Sequence, residues 1–353
     1  MAAAPSQNST NAVCPPSEPA LGALAVAQAF PKGSNSSSAM PRCHQSRRFT
    51  IKRVSRMLGA STAFVVLAAV FWGLSGGIGG ILMASGWDAF VVSFYRGVIG
   101  LLCVLVWLAL RPGRSGLANR RLWFWSALAG LGVAGNFSFY FVSIAQGSVA
   151  VAATLMYCAP VFVYLLSFAL GLERPTALKW AAIVMVMLGV VLLTQIYDIG
   201  ANGVTPLGVG AGLLAGLSYA VFIFGFKYAA PHGSPQAILS IAFAVLAAIL
   251  IWPSDSDQIL AALNTPDWPL FAALGVFGAG LSFMLYIIGL NHTAPAVASI
   301  IAMVEPVTAS LFGVVILHEH LAIAQILGAA LILITVTALS VFGRTGQPVS
   351  DLS

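Results

Sequence analysis

Two ionisable side chains, Arg96 and Glu305, stand well inside long apolar runs of this 353-residue chain. Arg96 lies eight residues in from Asp88, roughly 12 Å along a helix. An Arg at the centre of a membrane span costs roughly 2.5–3.5 kcal/mol on insertion scales, so Arg96 is expected to face a cavity or a partner rather than lipid. It has two readings. It binds an anionic group such as a substrate carboxylate, or it is structural, hydrogen-bonding helix-end carbonyls or snorkelling to the outer surface. Glu305 lies eleven residues into a later run, directly before Pro306. An acid at that depth is a candidate for proton exchange during transport; the alternative is a neutral or paired Glu that ties helices together, with Arg96 among its candidate partners.

Two prolines add backbone chemistry. Pro160 and Pro306 each remove a helical hydrogen bond and free the carbonyl four residues earlier, at Met156 and Ala302. Freed carbonyls in lipid need protein or cavity water, so paired kinks beside a central site are expected, with improved packing as the plainer use. Trp72, Tyr95, Tyr140, Tyr157, Tyr219 and Tyr286, with Asn136, Thr154, Ser282 and Ser299, are the main remaining aromatic or polar groups inside the runs. Each alone reads as packing; together they describe an aromatic, weakly polar cavity suited to amphipathic organic solutes. The candidate binding residues are Trp72, Arg96, Asn136, Tyr140, Tyr157, Tyr286 and Glu305. His318-Glu319-His320 lacks the second His of the HExxH zinc motif, the chain having Ala322 there. With neither a nucleophile elbow nor a phosphate-binding loop, an ATP-driven pump and an intramembrane hydrolase are disfavoured. No metal and no cofactor are expected.

The elements that hold these residues follow from composition. Hydrophobic residues make up 59% and charged residues 7% of the chain, against about 25% charged in a soluble domain. Mean hydropathy is +0.95. The apolar runs are near the roughly 20 residues that cross a bilayer as helix, and they predict ten spans, over residues 59–84, 88–110, 122–145, 149–170, 177–196, 206–229, 235–252, 268–290, 294–316 and 321–343. Of the 16 Lys and Arg residues, all but Arg96 then fall on one face. Before the first span these are Lys32, Arg42, Arg47, Arg48, Lys52, Arg53 and Arg56. Arg111, Arg114, Arg120, Arg121, Arg174, Lys179, Lys227 and Arg344 come in later loops and span ends. Asp88, Asp198, Asp255, Asp257, Asp267 and Glu319 take the other face. The positive-inside rule makes the basic face cytoplasmic. The charge of +6 is therefore explained by topology and anionic headgroups rather than by a nucleic acid. Trp87, Trp107, Trp123, Trp125, Trp180, Trp252 and Trp268 lie near span ends, as an interfacial belt requires; only Trp72 is mid-membrane. Four cysteines, two in the arm and two in spans, make no disulfide framework.

The chain also repeats itself. A shift of 146 residues places Gly132 on Gly278, Phe137 on Phe283, Tyr140 on Tyr286, Pro160-Val161 on Pro306-Val307 and Glu173 on Glu319. Five spans is an odd number, so the second half enters from the opposite face. The expected fold is an all-α polytopic membrane protein of ten transmembrane helices in two inverted five-helix repeats, an architecture of alternating-access carriers with a site near the midplane. Gly73/Gly77, Gly76/Gly80 and Gly208/Gly212/Gly216 are small-xxx-small patterns that bring helix backbones together, unless they reflect only the frequency of Gly in membrane helices.

At these residues the chain resembles a known family. SVAVAATLMYCAPVFVYLLSFALGLERPT over Ser148–Thr176 is similar to the fourth span of EamA-type carriers of the drug/metabolite transporter superfamily. APAVASIIAMVEPVTASLFGVVILHEHL over Ala294–Leu321 is similar to the ninth. FWG at Phe71–Gly73 and FYRG at Phe94–Gly97 resemble the first and second, and the likeness covers about residues 59–343. His318-Glu319-His320 departs from the Gly-Glu-Arg frequent there. The resemblance implies a 5+5 inverted-repeat carrier of small metabolites, often an exporter of amino acids or related compounds.

The expected organisation is a disordered arm or overcalled start over 1–57, with a transit peptide as a third reading, then repeats over 58–196 and 197–343 and a short cytoplasmic tail over 344–353. The expected function is a secondary transporter, not an enzyme, in the cytoplasmic (inner) membrane with both termini cytoplasmic. A non-transporting sensor or scaffold on the same fold is the alternative. Its partners would be a small-molecule substrate and the lipid bilayer, with a homodimer as a candidate assembly and no nucleic acid.

Overall fold

The computed structural model describes residues 41–111, 115–146, 149–172, 175–198, 205–316, 318 and 320–342. Residues 1–40 of the arm, the Glu173/Glu319 pair, Arg114, Arg174 and the tail from 344 lie outside these. The chain divides into a unit of residues 1–51 and a unit from Lys52 to Ser353, and the second holds the apolar bundle. Among the described residues all regular structure is helical: α1 (Pro41–Ala84), α2 (Ala89–Leu110), α3 (Arg120–Ala145), α4 (Val149–Met156), α5 (Ala159–Ala169), α6 (Ala177–Thr194) and α7 (Pro206–Ala229), then α8 (Pro235–Leu250), α9 (Ser256–Ala261), α10 (Trp268–Gly275), a π-helical segment (Val276–Leu281), α11 (Ser282–Leu290), α12 (Pro295–Ala302), α13 (Val304–Ile316) and α14 (Ile323–Phe342).

Local sequence sets the helix starts. Asp88 accepts from the amides of Phe90 and Val91, Asn119 from Arg121, Thr205 from Gly208 and Ser234 from Ala237, each satisfying amides that have no partner within the helix. Pro206, Pro235 and Pro295 occupy first helical positions, where a missing N–H costs nothing.

Eight helical stretches are long and apolar enough to cross a membrane: Ser61–Ala84, Ala89–Leu110, Arg120–Ala145, Val151–Ala169, Ala177–Thr194, Pro206–His232, Trp268–Leu290 and Pro295–Ile316. Pro235–Leu250 and Ile323–Leu339 are shorter apolar helices at the expected seventh and tenth positions. The outer surface is apolar: Val106, Val184, Val315 and Ile334 are each at least 60% exposed. A soluble monomer rarely presents such a continuous apolar surface, whereas lipid makes it the favourable one. The protein is integral to a membrane.

The eighth expected span differs from a plain α-helix, because the π segment interrupts it between α10 and α11. Two further interruptions were expected from proline and are present. The fourth span breaks at Tyr157-Cys158, between α4 and α5, and the ninth at Met303, between α12 and α13. Tyr157 and Met303 match under the 146-residue shift.

Helices approach closely at selected glycines. A Cβ on Gly132 would stand 2.6 Å from the Phe222 amide nitrogen, and one on Gly225 would stand 2.7 Å from that of Ala129, so α3 and α7 cross almost backbone to backbone. Of the glycine pairs read from sequence, Gly73 and Gly77 do receive a neighbour, α13, through Thr308 and Phe312. Gly208, Gly212 and Gly216 receive Gln146 and Leu155. Gly76 and Gly80 meet nothing within 4 Å, so that pair is not a packing surface in this structure.

Contacts between loops sort into two ends. At one, the Ser234 amide donates to the Ser115 carbonyl, and Lys227 Nζ donates to the carbonyls of Leu290, Asn291 and Thr293. At the other, Trp87 Nε1 donates to Asp267, the Asp88 amide to Gln258 Oε1 and the Tyr95 hydroxyl to the Ile259 carbonyl. The second set strings the short helix α9 across the α1–α2 turn over a small core of Leu82, Val91, Phe271 and Leu274.

Candidate functional site

A cavity with about 310 Å³ of atom-free space, part of it open to the surroundings, lies between the halves of the bundle. From the first half it is lined by Trp72 of α1, Arg96 of α2 and Val133, Asn136 and Phe137 of α3; from the second by Tyr219 and Phe222 of α7, Phe283 of α11 and Glu305 of α13. The room left at its centre is about 30 Å³, water-sized in this structure. The composition, aromatic walls with one cation and one anion, matches small-molecule sites.

Arg96 is held on two sides. Its Nε and Nη2 both donate to the Gly278 carbonyl, at 3.0 and 2.7 Å. Its guanidinium lies 5.0 Å from the centre of the Phe137 ring, within cation–π range. Gly278 sits in the π segment, where the wider turn leaves carbonyls without their usual i+4 amide. A Cβ on Gly278 would stand 2.5 Å from Ser75 Cβ and 3.1 Å from Arg96 Nε, so the approach requires glycine. Two of the three guanidinium nitrogens are thus engaged structurally, and Nη1 has no hydrogen bond among the described residues. These two bonds are the carbonyl contacts of the structural reading of Arg96.

Glu305 stands just past the Met303 break and lies where α13 meets α1. A Cβ on Gly73 would stand 2.5 Å from the Glu305 carbonyl oxygen and 2.6 Å from Thr308 Cβ. Only glycine lets α1 come this close. The Glu305 carboxylate makes no hydrogen bond or ion pair among the described residues, and the candidate direct pair with Arg96 is absent there. Both side chains line the same cavity.

Asn136 has its amide turned to structure. Nδ2 donates 3.0 Å to the Ala215 carbonyl and ties α3 to α7, beside the cavity it lines. Trp72 packs on Phe283 at 5.0 Å and Tyr286 at 4.9 Å between ring centres. Four of the seven expected site residues, Trp72, Arg96, Asn136 and Glu305, thus line one cavity. Tyr286 stands behind Trp72, fully buried and off the lining. Tyr140 and Tyr157 are off the lining too. Tyr157 occupies the fourth-span break. Tyr95 belongs to the α9 end through Ile259.

Five lining residues were not among the expected ones. Phe137 and Phe283 carried a usable signal, since the 146-residue shift superposes them. Tyr219 stood among the buried aromatics. Val133 and Phe222 look like any apolar residue of a span, and no pattern in the sequence marks them.

An apolar bundle with broken helices around a charged, aromatic cavity defines a polytopic membrane protein of transporter type. The profile of the EamA-like transporter family matches residues 60–195 and again 206–341. The chain belongs to this family and is a membrane transporter. An uncharacterized transporter of Archaeoglobus fulgidus is 30% identical over 278 residues, 79% of this chain and 95% of that protein. The uncharacterized transporter YwfM of Bacillus subtilis is 26% identical over 291 residues, 80% of this chain and 94% of its own length. A solved crystal structure shares the fold, with a TM-score of 0.65 over 82% of this chain and 99% of its own, at 20% identity.

Proposed function

We propose that this protein is a secondary carrier that exports amino acids or related small metabolites across the cytoplasmic membrane. Its ten spans form two inverted five-helix repeats, with both termini cytoplasmic. The observation that carries the reading is the pairing of Arg96 and Glu305 on one aromatic cavity lined from both halves of the chain. A zwitterion presents the complementary charges: its carboxylate meets the free Nη1 edge of Arg96 and its ammonium meets Glu305. Guanidinium groups favour carboxylates geometrically, and aromatic rings favour the ammonium. The matched breaks at Tyr157 and Met303 support alternating access, since discontinuous helices flank carrier sites near the midplane. The two-ended sorting of loop contacts agrees with the cation asymmetry and supports the proposed topology. Glu305 carries the coupling proton in this reading.

The test is a bacterial host expressing the full chain, challenged with a panel of toxic amino acids and metabolite analogues, with Arg96→Gln and Glu305→Gln alongside. Resistance confined to one chemical class and lost in both variants is expected. Sensitisation would reverse the direction. An unaltered panel despite good membrane expression would refute the carrier reading, and a Glu305→Gln protein still driven by a proton gradient would remove the proton role.

A further inference from the structure

Three buried polar atoms of the central aromatic cluster have no hydrogen-bond partner among the described residues: Trp72 Nε1, Tyr219 Oη and Tyr286 Oη. Trp72 and Tyr219 both line the cavity that holds Arg96 and Glu305, and each is only 4% exposed. They reach it from opposite halves of the chain, on α1 and α7. Native proteins leave few buried polar groups unsatisfied. In a membrane interior the cost of doing so rises, because no bulk water is near. Phenylalanine at position 219 would fill the same space without that cost.

Among the described residues Ser126 Oγ, Ser167 Oγ, Gln236 Oε1 and Ser282 Oγ are also buried without a partner, but none of these residues lines the cavity, and many hydroxyls of the bundle are satisfied locally. Ser240, Thr293, Thr308, Ser310 and Thr335 each donate to the carbonyl four residues earlier in the chain. An indole N–H and a phenol have no such option. Indole can only donate, and phenol donates or accepts, so a group that satisfies both must offer acceptor oxygens.

We propose that Trp72 and Tyr219 are specificity residues that donate to a neutral acceptor oxygen on the body of the transported solute. This rests on the zwitterion reading above and extends it from the charged ends to the side chain. Arg96 and Glu305 hold the carboxylate and ammonium, and Trp72 and Tyr219 then meet an amide, hydroxyl or similar oxygen. A hydrocarbon of the same shape leaves both donors unsatisfied. Sites built to hydrogen-bond a polar group reject an analogue lacking it far more strongly than apolar pockets reject a misfit.

The test uses the full-length protein in proteoliposomes. Counterflow is measured with radiolabelled isosteric pairs, asparagine against leucine and threonine against valine, for wild type, Trp72→Phe and Tyr219→Phe. Wild type is expected to favour the polar member of at least one pair by roughly tenfold or more. Each variant is expected to lose most of that preference, read as the ratio of the two counterflow rates within each pair. Thermal unfolding of Tyr219→Phe without solute supplies the second readout: removal of an unpartnered hydroxyl leaves the midpoint unchanged or raised, whereas loss of a structural hydrogen bond would lower it. Variants that keep the wild-type preference, or a Tyr219→Phe protein that unfolds earlier without solute, would overturn this inference alone. Wild-type vesicles that move none of the four solutes would overturn the amino-acid reading and this inference with it.

Discussion

Gly278→Ala tests the clamp on Arg96. The added methyl would stand 2.5 Å from Ser75 Cβ, 2.8 Å from Ser75 Oγ and 3.1 Å from Arg96 Nε. The first two distances are too short for any real Cβ contact, and the atoms involved belong to a short side chain on a buried stretch of α1. Ser75 cannot swing away without losing its 2.8 Å bond to the Trp72 carbonyl. Overpacking of this kind costs about 1–3 kcal/mol. Ser75→Gly deletes both offending atoms, at the expense of that bond and roughly 0.5–1 kcal/mol of helix propensity. The double variant Ser75→Gly/Gly278→Ala should therefore be more stable than the two single losses added together, with a coupling of about 1–2 kcal/mol. Unfolding of the four proteins in one detergent, followed by intrinsic fluorescence, closes the cycle. A Gly278→Ala loss that is the same in both backgrounds, with coupling below about 0.5 kcal/mol, would refute the close approach of α1 and the π segment.

Two further perturbations address the frame of the site. Asn136→Leu removes the bond to the Ala215 carbonyl that ties α3 to α7, so the unfolding midpoint should fall by the equivalent of about 1 kcal/mol, while Gln at the same place keeps an amide and loses less. Lys227→Met removes the bonds from Nζ to the carbonyls of Leu290, Asn291 and Thr293 at the end of α11. A cation favours a helix C-terminus, and these bonds also join α7 to α11. The variant should unfold earlier, and Arg should retain more stability than Met.

The breaks in the helices bear directly on how the cavity is built. A straight helix offers only side chains, because its carbonyls are occupied. The π segment turns the Gly278 carbonyl to Arg96, which fixes the guanidinium at a depth where it would otherwise have to seek water. The Met303 break stands next to Glu305 in the same way. Irregular backbone at membrane depth is tolerated where it is buried in protein or lines a cavity, and both conditions meet here. At Gly278 the backbone satisfies part of Arg96, while the Glu305 carboxylate has no partner among the described residues and lines the cavity.

The sequence by itself determined the apolar helices, their approximate ends, the family and the two proline-linked breaks. Each is set by local rules: run length against bilayer thickness, capping residues against free amides, and a ring that cannot donate. It also singled out Arg96 and Glu305, since a charge in a long apolar run stands out whatever surrounds it. Trp72 and Asn136 were legible as polar or aromatic members of such runs. The tertiary structure alone decided that these four share one cavity while Tyr140, Tyr157 and Tyr286 stand off it. It likewise decided that Gly73 and Gly77 pack while Gly76 and Gly80 do not. Helical spacing fixes which residues share a face but not which helix covers that face. The π segment was equally hidden, because its wide turn depends on Arg96 and Ser75 from helices far away in sequence. Which carbonyl receives Arg96, and so which edge of it remains for a solute, is a property of packing that no local pattern carries.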